Sequence, residues 1–342
     1  MRVCDGARKI NSQGGAIHVH AEKEILTLKQ LRPSIAEATE VPQSPLASIK
    51  IRDFAYQKLI QLNPATLYRS ALINGEKGLL ARGLTESDFG NYGALPESWR
   101  ERERFARRLL REAGNRLCKD DGLLGIPGFW KDACGIHLWK RKDYLLPRLL
   151  IPVRDALGRI QAFQMRLPFE MNGLRYCWLS SADLPHGVGS GSPLHFKFRL
   201  ADLPDNAAIV IVEGVLKADV LFALRPELFI VATPSVTSNH DALIRLSRGH
   251  IIRIAFDQDC YVNEAVCLQL ARLIAGRKRA EGTLATTRIA AWDHLCKGID
   301  DAALRNLPIT SISVQGWFNC LSKYLQHKVT TAWQEHTRLR PG

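Results

Sequence analysis

Three carboxylates stand where short apolar runs stop. Ile209-Val210-Ile211-Val212 ends in Glu213-Gly214, and Ile251-Ile252-Arg253-Ile254-Ala255-Phe256 ends in Asp257-Gln258-Asp259. A run of β-branched residues bounded by polar ones reads as a buried parallel strand. In open α/β sheets, ligands bind beyond the carboxyl ends of such strands. Glu213, Asp257 and Asp259 are therefore expected at one edge of one sheet. Crowded carboxylates repel unless a cation joins them, and hard oxygen donors suit Mg²⁺ or Mn²⁺. Alternating acids point the same way on extended backbone, so Asp257 and Asp259 are expected to share an ion. A D-x-D spacing alone is weak, because Asp also ends strands and caps helices. A third group, Lys297-Gly298-Ile299-Asp300-Asp301, follows a strand expected around Arg288 to Trp292 and adds Asp300 and Asp301. Gly214 allows a sharp turn into a helix expected from Val215, with Lys217 one turn in and facing the same edge. Thr233 to Ser238 is rich in hydroxyls and suited to phosphate.

These positions require an alternation of strand and helix. The chain has 342 residues and 46% hydrophobic content, enough for two compact domains. The pattern divides it into a loose N-terminal segment and linker (1–48), a helical module (49–122), strands and turns (123–204), an α/β unit (205–308) and a tail carrying one amphipathic helix (309–342). In the helical module, Thr85-Glu86-Ser87-Asp88 reads as a helix start. The basic stretch from Trp99 to Leu117, with Arg100, Arg102, Arg104, Arg107, Arg108 and Arg111, reads as a solvated helix face rather than a nucleic-acid contact. Gly187 to Ser192 is glycine-rich and expected to be flexible.

A net charge of +13 favours a polyanionic partner. No apolar run reaches the ~18 residues of a membrane span, and no signal-peptide core follows Met1. A cytoplasmic protein is expected. Its 8 cysteines are scattered, without C-x-x-C pairs, and are expected to be reduced and mostly structural. Arg148, Arg154, Arg166 and Arg175 fall on strands expected beside the acidic edge. Arginine holds phosphate bidentately and stays charged. One or two of the four are expected to pair with Asp155 or Glu170 instead.

The ordered set E-G, D-x-D and K-G-I-D-D, each group after a strand, resembles the Toprim domain, a metal-binding fold shared by bacterial primases, topoisomerases and some nucleases. A Rossmann-like nucleotide binder would need a G-x-G-x-x-G loop after the first strand, which is missing. Upstream, Arg148 to Asp155, Gly158 to Arg166, Arg175-Tyr176 and Leu179-Ser180-Ser181 resemble the segment preceding the Toprim domain in the DnaG-type bacterial primase core. Arg82-Gly83-Leu84-Thr85, Gly125-Ile126-Pro127-Gly128-Phe129, Trp178-Leu179-Ser180-Ser181 and Glu213-Gly214-Val215-Leu216-Lys217-Ala218-Asp219 are similar to primase-like Toprim proteins of plasmids and integrative elements. The resemblance runs from about residue 50 to 306.

It implies a Rossmann-like α/β parallel sheet with helices on both faces, preceded by a mixed α/β subdomain and a helical module. It implies a nucleotidyltransferase making primers from NTPs on single-stranded DNA, with Mg²⁺ or Mn²⁺ held by Glu213, Asp257, Asp259, Asp300 and Asp301. Arg148, Arg154, Arg166, Arg175, Lys217 and Lys297 are then the phosphate-binding residues, and a replicative helicase is a candidate partner. The chain departs from replicative primases in two ways. Lys217 stands where they carry an acid. Cys4, His18 and His20 have no C-x-x-C partner, so no zinc is expected. Two other readings stay open: a Toprim nuclease, whose acids activate water, and a non-catalytic DNA-binding accessory protein.

Overall fold

The computed structural model describes residues 8–10, 16–18, 42–113, 122–171, 174–205 and 207–338. Arg8–Ile10 (β1) pairs antiparallel with Ala16–His18 (β2). The rest of the segment read as loose, through residue 41, lies outside the described residues.

The helical module holds Ile49–Leu62 (α1), Glu86–Phe89 (α2) and Trp99–Ala113 (α3), but its pattern is interrupted by a strand, Gly93–Leu95 (β3). Thr85 starts α2 as expected: its N–H donates to Asp88 Oδ2 at 2.8 Å, the reciprocal half of a capping box. Phe129–Asp132 (β4) and Gly135–Leu138 (β5) form a hairpin. Arg148–Arg154 (β6), Ile160–Met171 (β7) and Leu174–Trp178 (β8) complete an antiparallel sheet in the order β3-β6-β7-β8. Alternation gives this sheet two apolar faces. Leu150, Phe163 and Met165 pack under α1 and α3, while Leu149, Ile151 and Ala162 face the other way. The Gly187 to Ser192 loop is pinned rather than loose. Ser190 Oγ donates to Leu179 O at 2.9 Å, and Val188 N–H to Ser181 Oγ at 3.1 Å.

The second sheet is β14-β13-β12-β10-β11-β9. His195–Phe196 (β9) is an antiparallel edge. Ala208–Glu213 (β10), Phe229–Thr233 (β11), Ile251–Ala255 (β12) and Thr287–Ala291 (β13) run parallel, and Thr310–Ser313 (β14) closes the far edge antiparallel. Val215–Leu224 (α4) and Ile299–Leu304 (α7) cover one face, where Val210, Val212 and Ala290 point. His240–Leu246 (α5), Glu264–Glu281 (α6), Val314–Cys320 (α8) and Lys323–Arg338 (α9) cover the other, against Ile209, Ile211 and Ile254. The expected α/β sheet with helices on both faces is present. Asn263 caps α6 by accepting from Ala265 N–H at 3.0 Å. The single tail helix is two. Leu321 is extended after α8, and Ser322 Oγ accepts from Leu325 N–H at 3.3 Å to restart the chain as α9.

Candidate functional site

The carboxylates meet because of strand order. The chain passes from β10 to β11 through α4 on one face, then from β11 to β12 through α5 on the other. The strand order therefore reverses between the neighbours β10 and β12, and a crevice opens at their carboxyl ends. Glu213 ends β10 and Asp257 follows β12. Gly214, at φ 98°, turns the chain sharply into α4, and its N–H donates to Thr233 O at 2.8 Å. Lys217 comes up one turn later.

A cleft of about 530 Å³ opens there, lined by Glu213, Lys217, Asp257, Asp300, Arg82 and Arg175 among others. The Lys217 ammonium is ion-paired with Asp257 Oδ1, and both side chains are 15% exposed. Asp300 is 6% exposed; its Oδ1 has no hydrogen-bond partner, and its Oδ2 lies 3.8 Å from Arg82 Nη1. Burial, then the charge of Asp257, pushes the Glu213 carboxyl up. Burial likewise pushes Asp300 up, against the pull of Lys217. Burial alone would lower Lys217, but Asp257 and Asp300 outweigh it and hold the amine above its ordinary value.

The expected sharing of one ion by Asp257 and Asp259 meets a different backbone. The chain enters a 3₁₀ turn, Gln258–Tyr261, directly after Asp257. Asp257 turns to Lys217, while Asp259 is half-exposed, 3.9 Å from Lys297 Nζ. Asp301 lines the cleft but caps α7, its Oδ2 accepting from Gly298 N–H at 3.1 Å. Gly298 has a steric role that spacing does not reveal. A Cβ there would lie 2.3 Å from Asp300 Oδ1 and 3.2 Å from Lys217 Nζ.

Of the four strand arginines, only Arg175 lines the cleft. Arg148 alternates with Leu149 and so points to the opposite face of its sheet, with its guanidinium 3.5 Å from the centre of the Tyr144 ring. A β-bulge at Val153/Arg154 leaves Arg154 donating locally to Gly158 O at 3.0 Å. Arg166 is on the cleft side of the sheet, but it is buried and donates to the Lys77 carbonyl. The expected ion pairs of these arginines with Asp155 are absent, because Asp155 takes Arg159 instead, at 2.7 Å, and the side chain of Glu170, the other expected partner, lies outside the described residues. Arg82, Gln164 and Tyr176 line the cleft without having been singled out for it. Arg82 appeared only within the R-G-L-T match, whose spacing carries no sign of a partner far along the chain.

The donor set fits a hard divalent cation: all donors are carboxylate oxygens, and Asp300 Oδ1 is a buried acceptor without a partner. Among the described residues, no three Asp, Glu, His or Cys side chains already stand together as a cation cage. The charge inside the cluster comes from Lys217.

A second polar feature lies on the far face of the antiparallel sheet. Arg104, Arg107, Arg108 and Arg111 follow one stripe of α3 and border a groove of about 780 Å³ with Phe105 and Tyr68. Arg108 pairs with Glu112 at 2.6 Å, whereas no described carboxylate lies within 4.0 Å of Arg104, Arg107 or Arg111. The expected solvated face is seen for these residues but not for Arg102, which is fully buried. Arg102 donates to the carbonyls of Pro96, Glu97, Lys140 and Lys142 at 2.6–2.8 Å.

Comparison with solved structures places the fold. The chain is similar to the zinc-binding and RNA polymerase domains of Aquifex aeolicus primase, with a TM-score of 0.50 and 14% identity, covering 86% of this chain and 74% of that one. It is also similar to a DnaG primase catalytic domain bound to ssDNA (TM-score 0.48, 14% identity, 84% of this chain, 96% of that one). A third similar structure is a DNA primase domain from Pseudomonas aeruginosa (TM-score 0.49, 16% identity, 85% and 97%). No protein-family model matches the sequence, and no curated protein matches it. The mixed α/β architecture is that of the Aquifex aeolicus primase domains.

Proposed function

We propose that the chain is a primase-like nucleotidyltransferase of the Toprim type, of the kind carried by mobile elements, working in the cytoplasm on single-stranded DNA. The observation that carries this reading is the meeting of Glu213, Lys217, Asp257 and Asp300 at the crevice between β10 and β12, facing Arg82 and Arg175 from the other half of the chain. The motif order E-G, D-x-D, K-G-I-D-D and the shared fold support it. A divalent cation held by Glu213, Asp257 and Asp259, with Asp300 or Asp301, would supply the positive charge that stabilises phosphoryl transfer.

The chain's own residues do the rest. Arg175, Arg82 and Lys297 border the acids and hold the triphosphate and template phosphates by charge-assisted hydrogen bonds. The rims of both sheets orient the 3′-hydroxyl against the nucleotide. Away from the cleft, and against the solvated-face reading of its spacing, the single strand continues onto the arginine groove of α3, where Phe105 and Tyr68 offer stacking surfaces between cations. The test is NTP incorporation on single-stranded template with Mg²⁺ or Mn²⁺, comparing the wild type with Asp257→Ala. Primer synthesis that persists in the variant overturns the assignment, and plasmid nicking without NTP would make the chain a nuclease.

A further inference from the structure

The Lys217 ammonium occupies the inside of the carboxylate cluster. Its stem leaves α4 between the buried Leu216 and Ala218, which are 1% and 0% exposed, so the helix delivers it to one place. It pairs with Asp257 and lies beside Gly298, which has no side chain to keep it from the Asp300 carboxylate. Asp300 Oδ1, buried and without a hydrogen-bond donor, faces the same space. Carboxylates brought this close in a poorly solvated cleft repel strongly. A free cation could relieve the repulsion only by binding, at a cost in mobility, whereas an ammonium on the chain is already there.

From this geometry we infer that Lys217 is a tethered counter-ion, which keeps the acidic cluster assembled in the absence of any divalent cation. It neutralises Asp257 and faces Asp300, leaving Glu213 in the cleft to draw a free cation. Lys217 is thus a positioning residue for the acids, and not primarily a phosphate ligand. Removing its charge makes assembly of the cluster depend on a bound divalent ion.

The inference deepens the reading of the cleft as a phosphoryl-transfer site, but its test needs neither DNA nor nucleotide, so the two can fail separately. Thermal unfolding of the full chain is followed in EDTA and in Mn²⁺ for the wild type, Lys217→Met and Lys217→Met/Asp257→Asn. Lys217→Met is expected to melt lower in EDTA and to gain at least about 4 °C more from Mn²⁺ than the wild type does. The double variant, with the opposing charge also removed, is expected to recover at least half of the EDTA loss without metal. If Lys217→Met is insoluble in EDTA, recovery of soluble protein by Mn²⁺ is the equivalent readout. Equal Mn²⁺ responses in wild type and Lys217→Met, or a double variant no better than the single one, overturn the inference.

Discussion

His195 Nε2 lies 3.2 Å from Asp219 Oδ1, while the backbone N–H of Arg154 donates to His195 Nδ1 at 2.9 Å. Because Nδ1 accepts, Nε2 carries the proton and donates to Asp219; the pattern of partners assigns this tautomer. Asp219 also accepts from Lys197 Nζ at 2.7 Å and from Tyr92 O–H at 3.0 Å. This buried carboxylate therefore joins β9, α4 and the helical module. Asp219→Ala leaves three donors stranded and is expected to cost about 3–5 kcal/mol of stability, read from urea unfolding. A loss below about 1 kcal/mol would show that the network rearranges around the gap.

The same pair makes the protein acid-sensitive in two windows. Burial holds His195 below its ordinary value despite Asp219, so the unfolded chain binds its proton first. Stability therefore falls as pH drops below the unfolded histidine value of about 6.5. Burial would raise Asp219, but Lys197 and His195 outweigh it and hold the carboxyl well below the usual range. Its contribution is present above about pH 4 and is lost as pH falls further. Melting curves across the histidine window, from about pH 7.5 to about pH 5, should slope downward in the wild type and flatten in His195→Leu. A slope that survives in His195→Leu would assign the first window to another group.

The groove on α3 makes a prediction about salt. For Arg104→Glu/Arg107→Glu/Arg111→Glu, binding to an oligothymidylate should weaken at least tenfold. The slope of log K against log salt should fall in magnitude by about 2, close to 0.7 for each of three lost phosphate contacts. Fluorescence anisotropy across a salt series measures both. An unchanged slope removes the groove from the path of the DNA.

Gly298 sits at φ −112°, a backbone conformation open to any residue, so its substitution acts only through space. Gly298→Ala would push its methyl into Asp300 and crowd Lys217. Primer synthesis should fall at least tenfold while circular dichroism stays native, since a small misplacement of reacting groups is expensive. Full activity in Gly298→Ala would mean that Asp300 can swing aside without consequence.

The acid-bearing strand ends were legible because each is a local signal: a short β-branched run stopping at a carboxylate. Glu213 and Asp257 reach the cleft on that basis, and Asp300 does so through the K-G-I-D-D group that follows β13. What was hidden depends on distance along the chain or on burial. Arg102 has the spacing of a solvated helix face, yet four carbonyls from two loops draw it inside. Arg148 and Arg175 look equivalent as strand arginines, but alternation sends Arg148 behind the sheet and leaves Arg175 at the acids. The D-x-D pattern suggests an extended pair, whereas the 3₁₀ turn after Asp257 sends the two acids to different lysines.

Helix α4 belongs to two cores at once. Val215, Leu216 and Val220 pack with the antiparallel sheet, and Ala218 and Leu221 with the parallel one. Neither half can come away without baring an apolar strip of the helix that carries Lys217. Heat or denaturant should accordingly melt the chain in one cooperative step. A fragment beginning near residue 205 would keep every acid of the cleft and still aggregate, because the stripe that its partner sheet covers would meet water.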